Sequence, residues 1–385
     1  MPYYSFSLKQ NYFLDEKFKD INSLNLQKNT GYCSKNTNLW KILNKKKFLQ
    51  YINYVKFEKR QKINRIGKKI LFCLPPSIGL GDAIEYALAI KTIKESKFYD
   101  KVAVAFVGRY KIIFEKYFNL FDIYSDVISE NQLLLFDTVF HVSLEINEFK
   151  NQKYIRSDIE KTLLEKFNLK ISRNIISKQN FQIKKITIFP ISKSPLRTLS
   201  VNIINEIIRN YINAYDIEIV LDDHSDISVN IEKNLNLFNV TVLKPLTLID
   251  LCKEIENIQF GVFPDSGPLH LAKILNKKGL LVTTTVHEKI LLNNFDNINV
   301  FSNNYKSKFC NSPCGLTNIF NNNGSYGCYD SLSINSSFLL DKNLNSLQRG
   351  DLKNRYLDFI DHPVGCIRNI NIDNLINKIN SSLGI

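Results

Sequence analysis

Short apolar runs alternate with longer helical segments along the chain from about residue 69 onward. The first run, Ile70–Pro75, is continuous and apolar and is followed by a second proline, which is typical of a buried strand. Further strands are predicted at 101–107 and 137–143, and helices at 83–96, 110–118 and 157–168. Strands that alternate with helices in this way predict an α/β domain with a parallel sheet.

The alternation restarts after the polar stretch 170–185, which has the composition of a linker. A helix is predicted at 201–213, where isoleucines and a tyrosine recur every three or four residues. The other predicted strands are 185–191, 218–221, 240–243, 259–263 and 280–284, and the other predicted helices are 247–257, 268–277 and 372–383. We therefore predict an N-terminal extension, 1–68, and two α/β domains, 69–175 and 176–385, with a site in the cleft between them.

Composition narrows the class of protein. The chain has 385 residues, of which 44% are hydrophobic and 23% charged, and this balance excludes a disordered chain and a disulfide miniprotein. No stretch approaches the roughly 18 apolar residues of a membrane span, and the N-terminus lacks the apolar core of a secretory signal. Seven cysteines, an odd number, favour a reducing compartment. A cytoplasmic location is therefore expected.

The positive charge is concentrated in one stretch. Residues 41–69 hold eleven Lys and Arg against the single acid Glu58, which is +10 of the formal +14 of the chain. Aromatic residues are interleaved with these cations or border them: Trp40, Phe48, Tyr51, Tyr54 and Phe57. The pattern fits an anionic membrane surface or a nucleic acid, and we favour the membrane. A solvated helical face is the plain alternative.

The stretch FPDSGPLHLA, residues 263–272, stands where a buried strand ends and a helix begins. Asp265 or Ser266 can cap that helix, Gly267 allows a ligand close to the backbone, and Pro268 is tolerated in a first turn. The N–H groups of a helix N-terminus form a ready phosphate site, to which His270 can add a hydrogen bond. The alternative is an ordinary capped helix with His270 satisfied locally.

A second stretch, PSIGLGDA (76–83), follows the first predicted strand. The dinucleotide fingerprint GxGxxG needs a third glycine where Ile84 stands, which argues against an NAD site. Gly79 and Gly81 are instead predicted to make a tight turn that presents Asp82 at the carboxyl end of a sheet, where a carboxylate can act as a general base. The alternative role for Asp82 is a helix cap.

Two further patterns bear on ligands. Ser192, Lys193 and Arg197 fall in one loop after the first strand of the second domain, and hydroxyls with cations suit a diphosphate, although a plain polar loop is commoner. The late cysteines Cys310, Cys314, Cys328 and Cys366 contain only one tight pair, whereas a structural zinc site prefers two. We therefore predict no metal site.

Three of these stretches, in this order, resemble glycosyltransferase family 9, the heptosyltransferases of lipopolysaccharide core synthesis. The family's first loop ends in Gly-Asp, matched by Gly81-Asp82. Its second domain carries D-(S/T)-G-x-x-H-(L/I)-A, matched by residues 265–272, and its tail S-P-C…C…C-M-x-x-I is resembled by Ser312-Pro313-Cys314, Cys328 and CIRNI at 366–370. The resemblance covers roughly residues 69–385.

This resemblance implies an α/β fold of GT-B architecture, in which two Rossmann-like domains with parallel sheets face a central cleft. It implies inverting, metal-independent transfer of a sugar, a heptose among the candidates, from a nucleotide-sugar such as ADP-heptose. The implied acceptor is a lipopolysaccharide-core or lipid-linked glycan, which would place the enzyme at the inner face of the cytoplasmic membrane. Asp82 is the implied base, Gly79 and Gly81 belong to the acceptor loop, and the donor lies on 192–197 and 265–270.

Two rival functions stay open. One is a catalytically silent protein of GT-B type that binds a nucleotide or a glycan. The other is a sugar-nucleotide epimerase, which shares the fold.

Overall fold

The computed structural model describes most of the chain from residue 68 onward and shorter pieces before it. The described residues are 3–8, 12–14, 24–28, 30, 32–34, 39, 42–43, 49–55, 68–75, 78–106, 108–142, 148–150, 153–155, 158–171, 173, 182–222, 225–307, 312–315 and 360–385. The chain divides into two compact units. Unit 1 takes Met1–Glu145 and Ile159–Ser172, and unit 2 takes Ile146–Asp158 and Arg173–Ile385.

Most of the described N-terminal pieces are strands, while Leu39, Ile42 and Leu43 are helical. The strands are β1 (Tyr3–Leu8), β2 (Tyr12–Leu14), β3 (Leu24–Leu26), β4 (Tyr32–Ser34) and β5 (Leu49–Val55). Strand β1 pairs antiparallel with β4 and β5, β2 pairs with β3, and β4 pairs with Val127–Ser129 much later in the chain. The helical interpretation of the basic stretch is therefore wrong over Leu49–Val55. Most of the remaining cations of 41–69 lie outside the described residues.

A parallel sheet forms the core of unit 1. Its elements are β6 (Lys69–Cys73), α1 (Leu80–Glu95), β7 (Lys101–Ala105), α2 (Lys111–Phe118), β8 (Ile123–Tyr124), β9 (Val127–Ser129), α3 (Glu130–Leu133) and β10 (Thr138–His141). The described strands of this sheet run in the order β10-β6-β7-β8, and each neighbouring pair is parallel. After it come the antiparallel pair β11 (Glu148–Lys150) and β12 (Lys153–Ile155), assigned to unit 2, and then helix α4 (Ile159–Lys166).

Strand β6 lies at the centre of this core because consecutive residues along it are apolar and buried, as in a strand covered on both faces. The ring of Phe72 lies 5.7 Å from that of Phe140 and 5.6 Å from that of Phe167, just beyond α4. Helix α1 starts at Leu80, three residues earlier than predicted, because Gly79 takes the N-cap position.

Unit 2 holds the larger parallel sheet. Its elements are β13 (Lys185–Ile188), α5 (Val201–Tyr211), β14 (Asp216–Val220), α6 (Asp226–Asn234), β15 (Val240–Leu243), α7 (Leu248–Asn257), β16 (Phe260–Phe263), α8 (Gly267–Ile274), β17 (Gly279–Val282), α9 (Glu288–Leu292), β18 (Ile298–Phe301), α10 (Gly365–Arg368) and α11 (Ile372–Leu383). The described strands run in the order β15-β14-β13-β16-β17-β18, all parallel. This is the strand order of a Rossmann fold.

The predicted stripe of α5 is the face that packs into the core of unit 2, where five of its side chains are buried: Ile203, Ile204, Ile207, Ile208 and Tyr211. Tyr211 also ties α5 to α11, since its hydroxyl lies 3.1 Å from the Ile376 carbonyl and 2.7 Å from Asn380 Oδ1. On β16, a Cβ added to Gly261 would stand 2.2 Å from the Phe263 ring. A glycine is required there for that ring to pack, and the packing fixes β16 just before the loop at Asp265.

The predicted α/β class and the two parallel sheets are confirmed, with most element ends shifted by a few residues. Several elements were not predicted, among them α6, α9 and β18. Helix α9 has five residues and β18 has four, so both are too short to show a period. Helix α6 has few apolar residues, of which only Ile227 and Ile231 are buried. The cleft between the domains stays a prediction.

Candidate functional site

The order of the unit 2 sheet reverses between its first strand, β13, and its neighbour β16. In open parallel sheets, ligands bind outside the carboxyl ends of the strands at such a point. The loop after β13 contains Ser192, Lys193 and Arg197, and the loop after β16 contains Asp265 and Ser266. Two of the predicted donor-binding stretches therefore leave adjacent strands at the same edge.

Arg197 and Asp265 join these two loops. The Arg197 Nη1 atom lies 3.2 Å from Asp265 Oδ2 and 3.3 Å from the Asp265 carbonyl oxygen. Only 3% of the Asp265 side chain and 15% of the Arg197 side chain are exposed. A carboxylate this deeply buried needs such a partner, so the ion pair holds the 265–267 turn against the loop after β13.

The loop that carries Arg197 is closed by its own hydrogen bonds. Thr198 Oγ1 accepts the Ser192 N–H at 3.2 Å and lies 3.0 Å from the Ser194 carbonyl, to which it donates. Pro195–Arg197 forms a single 3-10 turn, with the Ser194 hydroxyl at its start accepting the Leu196 N–H at 3.3 Å. Arg197 therefore extends from a compact turn rather than from an open polar loop, and Thr198 is a residue that the sequence analysis did not single out.

Helix α8 begins at the same edge. Ser266 occupies its N-cap position, as predicted, but the Ser266 hydroxyl makes no capping hydrogen bond. That hydroxyl is buried and has no hydrogen-bond partner among the described residues. Pro268 has no N–H, so Gly267 and Leu269 supply the backbone donors that precede the first intrahelical bond. The end of α8 thus combines a positive dipole with a buried hydroxyl that no described residue engages.

The remaining predicted donor residues lie around this point. Ser192 is buried, Lys193 is exposed, and His270, in the helix, is 4% exposed. Its depth makes His270 part of the packing of α8, and it is not a side chain on the open surface. Of the predicted residues, the structure brings Arg197, Asp265 and Ser266 together most directly.

In unit 1 the predicted acceptor loop is the start of helix α1. Gly79 is the N-cap, and Gly81 and Asp82 lie inside the first turn, so the tight turn expected at both glycines is wrong for Gly81. The Asp82 Oδ2 atom accepts the Gly79 N–H at 3.0 Å. Asp82 therefore stands at the third position of α1 and not at the N-cap of the alternative interpretation, and its carboxylate stabilises the helix start through the Gly79 N–H.

A basic side chain that the sequence analysis missed stands beside this loop. Arg109 Nη2 donates to the Ile78 carbonyl at 2.7 Å, and its guanidinium carbon lies 4.7 Å from the centre of the Tyr110 ring. The Tyr110 hydroxyl lies 3.4 Å from the same carbonyl. These contacts fix the backbone just before Gly79. Nothing local in the sequence marks Arg109, because its partner is 31 residues away.

Two threonines after β17 were also missed. Thr284 and Thr285 are each 1% exposed, and their hydroxyls have no hydrogen-bond partner among the described residues. The run of three threonines directly after an apolar strand, VTTT, is the signal that could have found them.

Within the described residues, no three His, Cys, Asp or Glu side chains come together as metal ligands do. Cys314 and Cys366 are buried, and Cys310 and Cys328 lie outside the described residues. None of the described helices combines the length and apolar composition needed to cross a membrane.

Comparison with known proteins finds distant structural likeness only. No protein-family model and no curated protein matches the chain. Among solved structures, the iron-containing dodecameric glycosyltransferase TibC from enterotoxigenic E. coli H10407 is 11% identical, with 99% of this chain and 91% of that chain covered and a TM-score of 0.45.

Two other solved structures are similar to the chain over 82% of its length. The E. coli ADP-heptose lps heptosyltransferase II is 10% identical, with 98% of that chain covered and a TM-score of 0.47. A glycosyl transferase family 9 protein from Veillonella parvula DSM 2008 is 10% identical, with 97% of that chain covered and a TM-score of 0.49. All three proteins are described as glycosyltransferases.

Proposed function

We propose that this protein is an inverting glycosyltransferase that moves a sugar, a heptose, from a nucleoside-diphosphate donor to a glycan acceptor. The observation that carries the proposal is the N-terminus of α8, at the reversal point of a Rossmann-type sheet. That helix end lacks a side-chain cap, holds the buried and unpartnered Ser266 hydroxyl, and stands beside the Arg197–Asp265 pair. These features suit the diphosphate of a donor.

Charge favours the diphosphate as the group bound there. The buried carboxylate of Asp265 is offset by Arg197, so the positive end of the α8 dipole remains for a ligand. The exposed Lys193, on the loop after β13, adds a cation to the same edge of the sheet. When the bond to the sugar breaks, negative charge develops on the leaving diphosphate, and these groups would stabilise it.

Asp82 is the base that we propose for the transfer. The acceptor hydroxyl would give its proton to Asp82 while its oxygen attacks the anomeric carbon. The bond between that carbon and the diphosphate oxygen breaks, its electron pair leaves with the nucleoside diphosphate, and the configuration at the carbon inverts. The bond from the Gly79 N–H would hold the Asp82 carboxylate in place.

We further propose that the transfer needs no metal ion, since a helix end and cations can supply the positive potential. TibC is described as iron-containing, which makes a direct test necessary. Activity should persist in EDTA. A strict requirement for a divalent cation, or loss of activity with loss of iron, would contradict this part of the proposal.

The experiment that tests the function starts from the donor. Nucleotide-sugars, with ADP-heptose among them, would be screened for protection of the full chain against thermal unfolding, because a ligand that binds the folded state raises Tm. The donor found is then incubated with and without lipopolysaccharide-core acceptors, and the products are identified by mass spectrometry. A glycosylated acceptor and a free nucleoside diphosphate are the expected products.

The same experiment separates the rival functions. An epimerase converts the donor without an acceptor, and a catalytically silent protein binds the donor but yields no product. Because ADP-heptose is one probe among several, protection by another nucleotide-sugar would correct the donor and leave the glycosyltransferase proposal standing.

An enzyme whose acceptor is held in a bilayer gains from residing at the surface of that bilayer. We propose that residues 41–69 bring this protein to the inner face of the cytoplasmic membrane. A nucleic acid is the less favoured partner. Each Lys or Arg near an anionic surface contributes about 1 kcal/mol. Of the Lys and Arg residues in this stretch, Lys68 and Lys69 are among the described residues, and both are exposed.

These two lysines lie at the amino edge of the unit 1 sheet, where β6, β7, β8 and β10 begin. The Lys68 carbonyl accepts the Asp100 N–H at 2.8 Å and the Lys69 carbonyl accepts the Asp137 N–H at 3.0 Å. The loops before β7, β8 and β10 carry exposed apolar side chains: Phe98, Phe121, Leu134 and Leu135. The edge also carries the exposed Asp100 and Asp137, so its affinity for an anionic lipid interface would come from the apolar side chains together with the cations of 41–69.

Co-sedimentation with liposomes tests this surface. Binding should require anionic lipid, weaken at high salt, and vanish when five cations become Gln: Lys45, Lys46, Lys47, Lys59 and Arg60. A second variant, Phe121→Ser with Leu134→Ser and Leu135→Ser, should weaken binding without removing its salt dependence. Equal binding to neutral liposomes, or binding to nucleic acid instead, would overturn the assignment.

A further inference from the structure

The loop Thr283–Thr285 follows β17, the strand next to β16 in the unit 2 sheet. We infer that the hydroxyls of Thr284 and Thr285 belong to the anion site at the N-terminus of α8 and bind the phosphoryl oxygens of the donor. The inference rests on the proposed function and adds a third loop to the site.

The three hydroxyls of this loop differ in how they are used. Thr283 Oγ1 lies 3.1 Å from the Phe301 carbonyl, to which it donates, and it accepts the Asn303 N–H at 3.0 Å. Thr284 Oγ1 and Thr285 Oγ1 are equally buried but have no partner among the described residues. A buried hydroxyl without a partner opposes folding, so two in succession point to a use other than stability.

A third hydroxyl of this kind, Ser266 Oγ, belongs to the neighbouring loop. The register of the sheet places the two loops side by side. Phe263 of β16 pairs with Leu281 of β17, and Ser266 and Thr284 each stand three residues further on. Neighbouring strands are about 4.8 Å apart, so both loops leave the carboxyl edge of the sheet next to each other.

The backbone of the threonine loop is held by the tail of the chain. The Ser312 hydroxyl donates to the Thr284 carbonyl, and the Gly315 N–H donates to the Thr285 carbonyl at 2.6 Å. Both carbonyls are therefore engaged, whereas both hydroxyls are not. A rigid backbone that carries unused hydroxyls is the arrangement expected of a preorganised binding loop. It also gives Ser312 and Gly315 a positioning role.

The ligand chemistry follows from the donors that meet at this edge. Gly267 and Leu269 supply backbone N–H groups, and a hydroxyl of Ser or Thr can donate to a phosphoryl oxygen. Rotation about χ1 between staggered rotamers redirects such a hydroxyl without moving the backbone. Several uncharged donors beside a helix N-terminus suit a diphosphate, which presents many acceptor oxygens in a small volume.

The test replaces each hydroxyl by a methyl group of nearly the same shape. Thr284→Val and Thr285→Val in the full chain should unfold at the wild-type urea midpoint or above it, because neither hydroxyl has a hydrogen bond to the described residues that could be lost. Their Kd for ADP and for inorganic pyrophosphate, measured by calorimetry, should rise about tenfold, the value of a hydrogen bond to a charged group. The matched control, Thr283→Val, should unfold at a lower midpoint.

Each other outcome overturns the inference in an identifiable way. A lower midpoint with unchanged Kd in Thr284→Val and Thr285→Val means that these hydroxyls are structural, while the donor site at α8 stands. A change in Kd for ADP but not for pyrophosphate places them on the nucleoside and not on the phosphates. If the wild-type chain binds neither ADP nor pyrophosphate, and no other nucleotide protects it, the proposed function falls as well.

Discussion

Two helices of this protein begin directly after buried parallel strands, and their N-termini are built differently. At α1 in unit 1, Asp82 returns its carboxylate to the Gly79 N–H. At α8 in unit 2, the acid that precedes the helix, Asp265, pairs with Arg197, and the Ser266 hydroxyl at the N-cap does not cap. The N-terminus of α1 is therefore capped by the Asp82 carboxylate, whereas the N-terminus of α8 has no side-chain cap.

This difference in capping determines which kind of ligand each helix N-terminus can bind. A carboxylate at the positive end of α1 offsets the dipole there and disfavours a second anion, whereas a neutral acceptor hydroxyl meets no such repulsion. At the N-terminus of α8, the Ser266 hydroxyl has no partner among the described residues, and the Asp265 carboxylate pairs with Arg197. The contrast supports the proposed diphosphate site in unit 2 and the proposed acceptor loop in unit 1.

The largest expected effect is on catalysis. Asp82→Asn retains an oxygen that can accept the Gly79 N–H, so α1 stays capped and Tm and donor affinity should stay near wild type. Turnover should fall by a factor of about 100 to 10,000, as when a general base is removed. It is measured as acceptor glycosylation at saturating donor.

The control for this variant is Glu95→Gln, the same change of acid to amide at the exposed C-terminal end of α1. It should leave turnover unchanged. If Asp82→Asn also turns over at the wild-type rate, then Asp82 is a cap and nothing more, and the base must be sought elsewhere.

The next largest effect is expected for the buried ion pair between Arg197 and Asp265, beside the N-terminus of α8. Arg197→Met should lower the free energy of unfolding by about 3 kcal/mol, because it removes the cation that pairs with the deeply buried Asp265 carboxylate. Urea unfolding measures the loss. The double variant with Asp265→Asn should recover part of it, because the buried charge is then gone as well.

A surface pair provides the comparison. Lys91 and Glu95 on α1 lie 3.8 Å apart with both side chains exposed, so Lys91→Met should cost only about 0.3 kcal/mol. A loss in Arg197→Met as small as this would mean that the Asp265 carboxylate is solvated in solution, and the contrast between the two helix ends would weaken.

Much of this architecture could be predicted from local patterns. The continuous apolar run of β6 and the isoleucine stripe of α5 give unambiguous periods, and both elements form where they are predicted. The stretch 263–272 was correctly placed at a strand–loop–helix junction, because capping residues and a first-turn proline mark such a junction in any fold.

What could not be predicted depends on partners far apart in the sequence. Arg197 and Asp265 are 68 residues apart, so neither loop reveals that the acid is already neutralised. Strand β4 pairs with β9, which the pattern around residue 32 does not indicate. Likewise, the sequence shows three successive threonines, and only their surroundings distinguish the satisfied hydroxyl of Thr283 from those of Thr284 and Thr285.

A smaller loss of stability is expected when the Asp82 cap of α1 is removed. Asp82→Ala removes the acceptor of the Gly79 N–H together with a favourable charge at the N-terminus of α1. The expected loss is about 1 kcal/mol in the free energy of unfolding, measured by urea denaturation. Asp82→Asn should lose less than half of this. Equal losses in the two variants would mean that the charge and not the hydrogen bond stabilises the helix end.

The smallest loss of stability is expected at the N-terminus of α8, which has no side-chain cap. Ser266→Ala should leave the free energy of unfolding within about 0.5 kcal/mol of wild type, because its hydroxyl is bonded to nothing in the described chain. Ser200 is the matched control: it is also a buried serine at an N-cap of unit 2, but its hydroxyl accepts the Ile203 N–H at 3.4 Å. Ser200→Ala should therefore cost about 1 kcal/mol, the usual value of a cap. The affinity for ADP should show the reverse pattern: it should fall in Ser266→Ala, which keeps its stability, and stay constant in Ser200→Ala, which loses stability. If the two variants lose the same stability, then Ser266 caps α8 in solution, the two helix ends are alike, and the assignment of the diphosphate to unit 2 loses its main support.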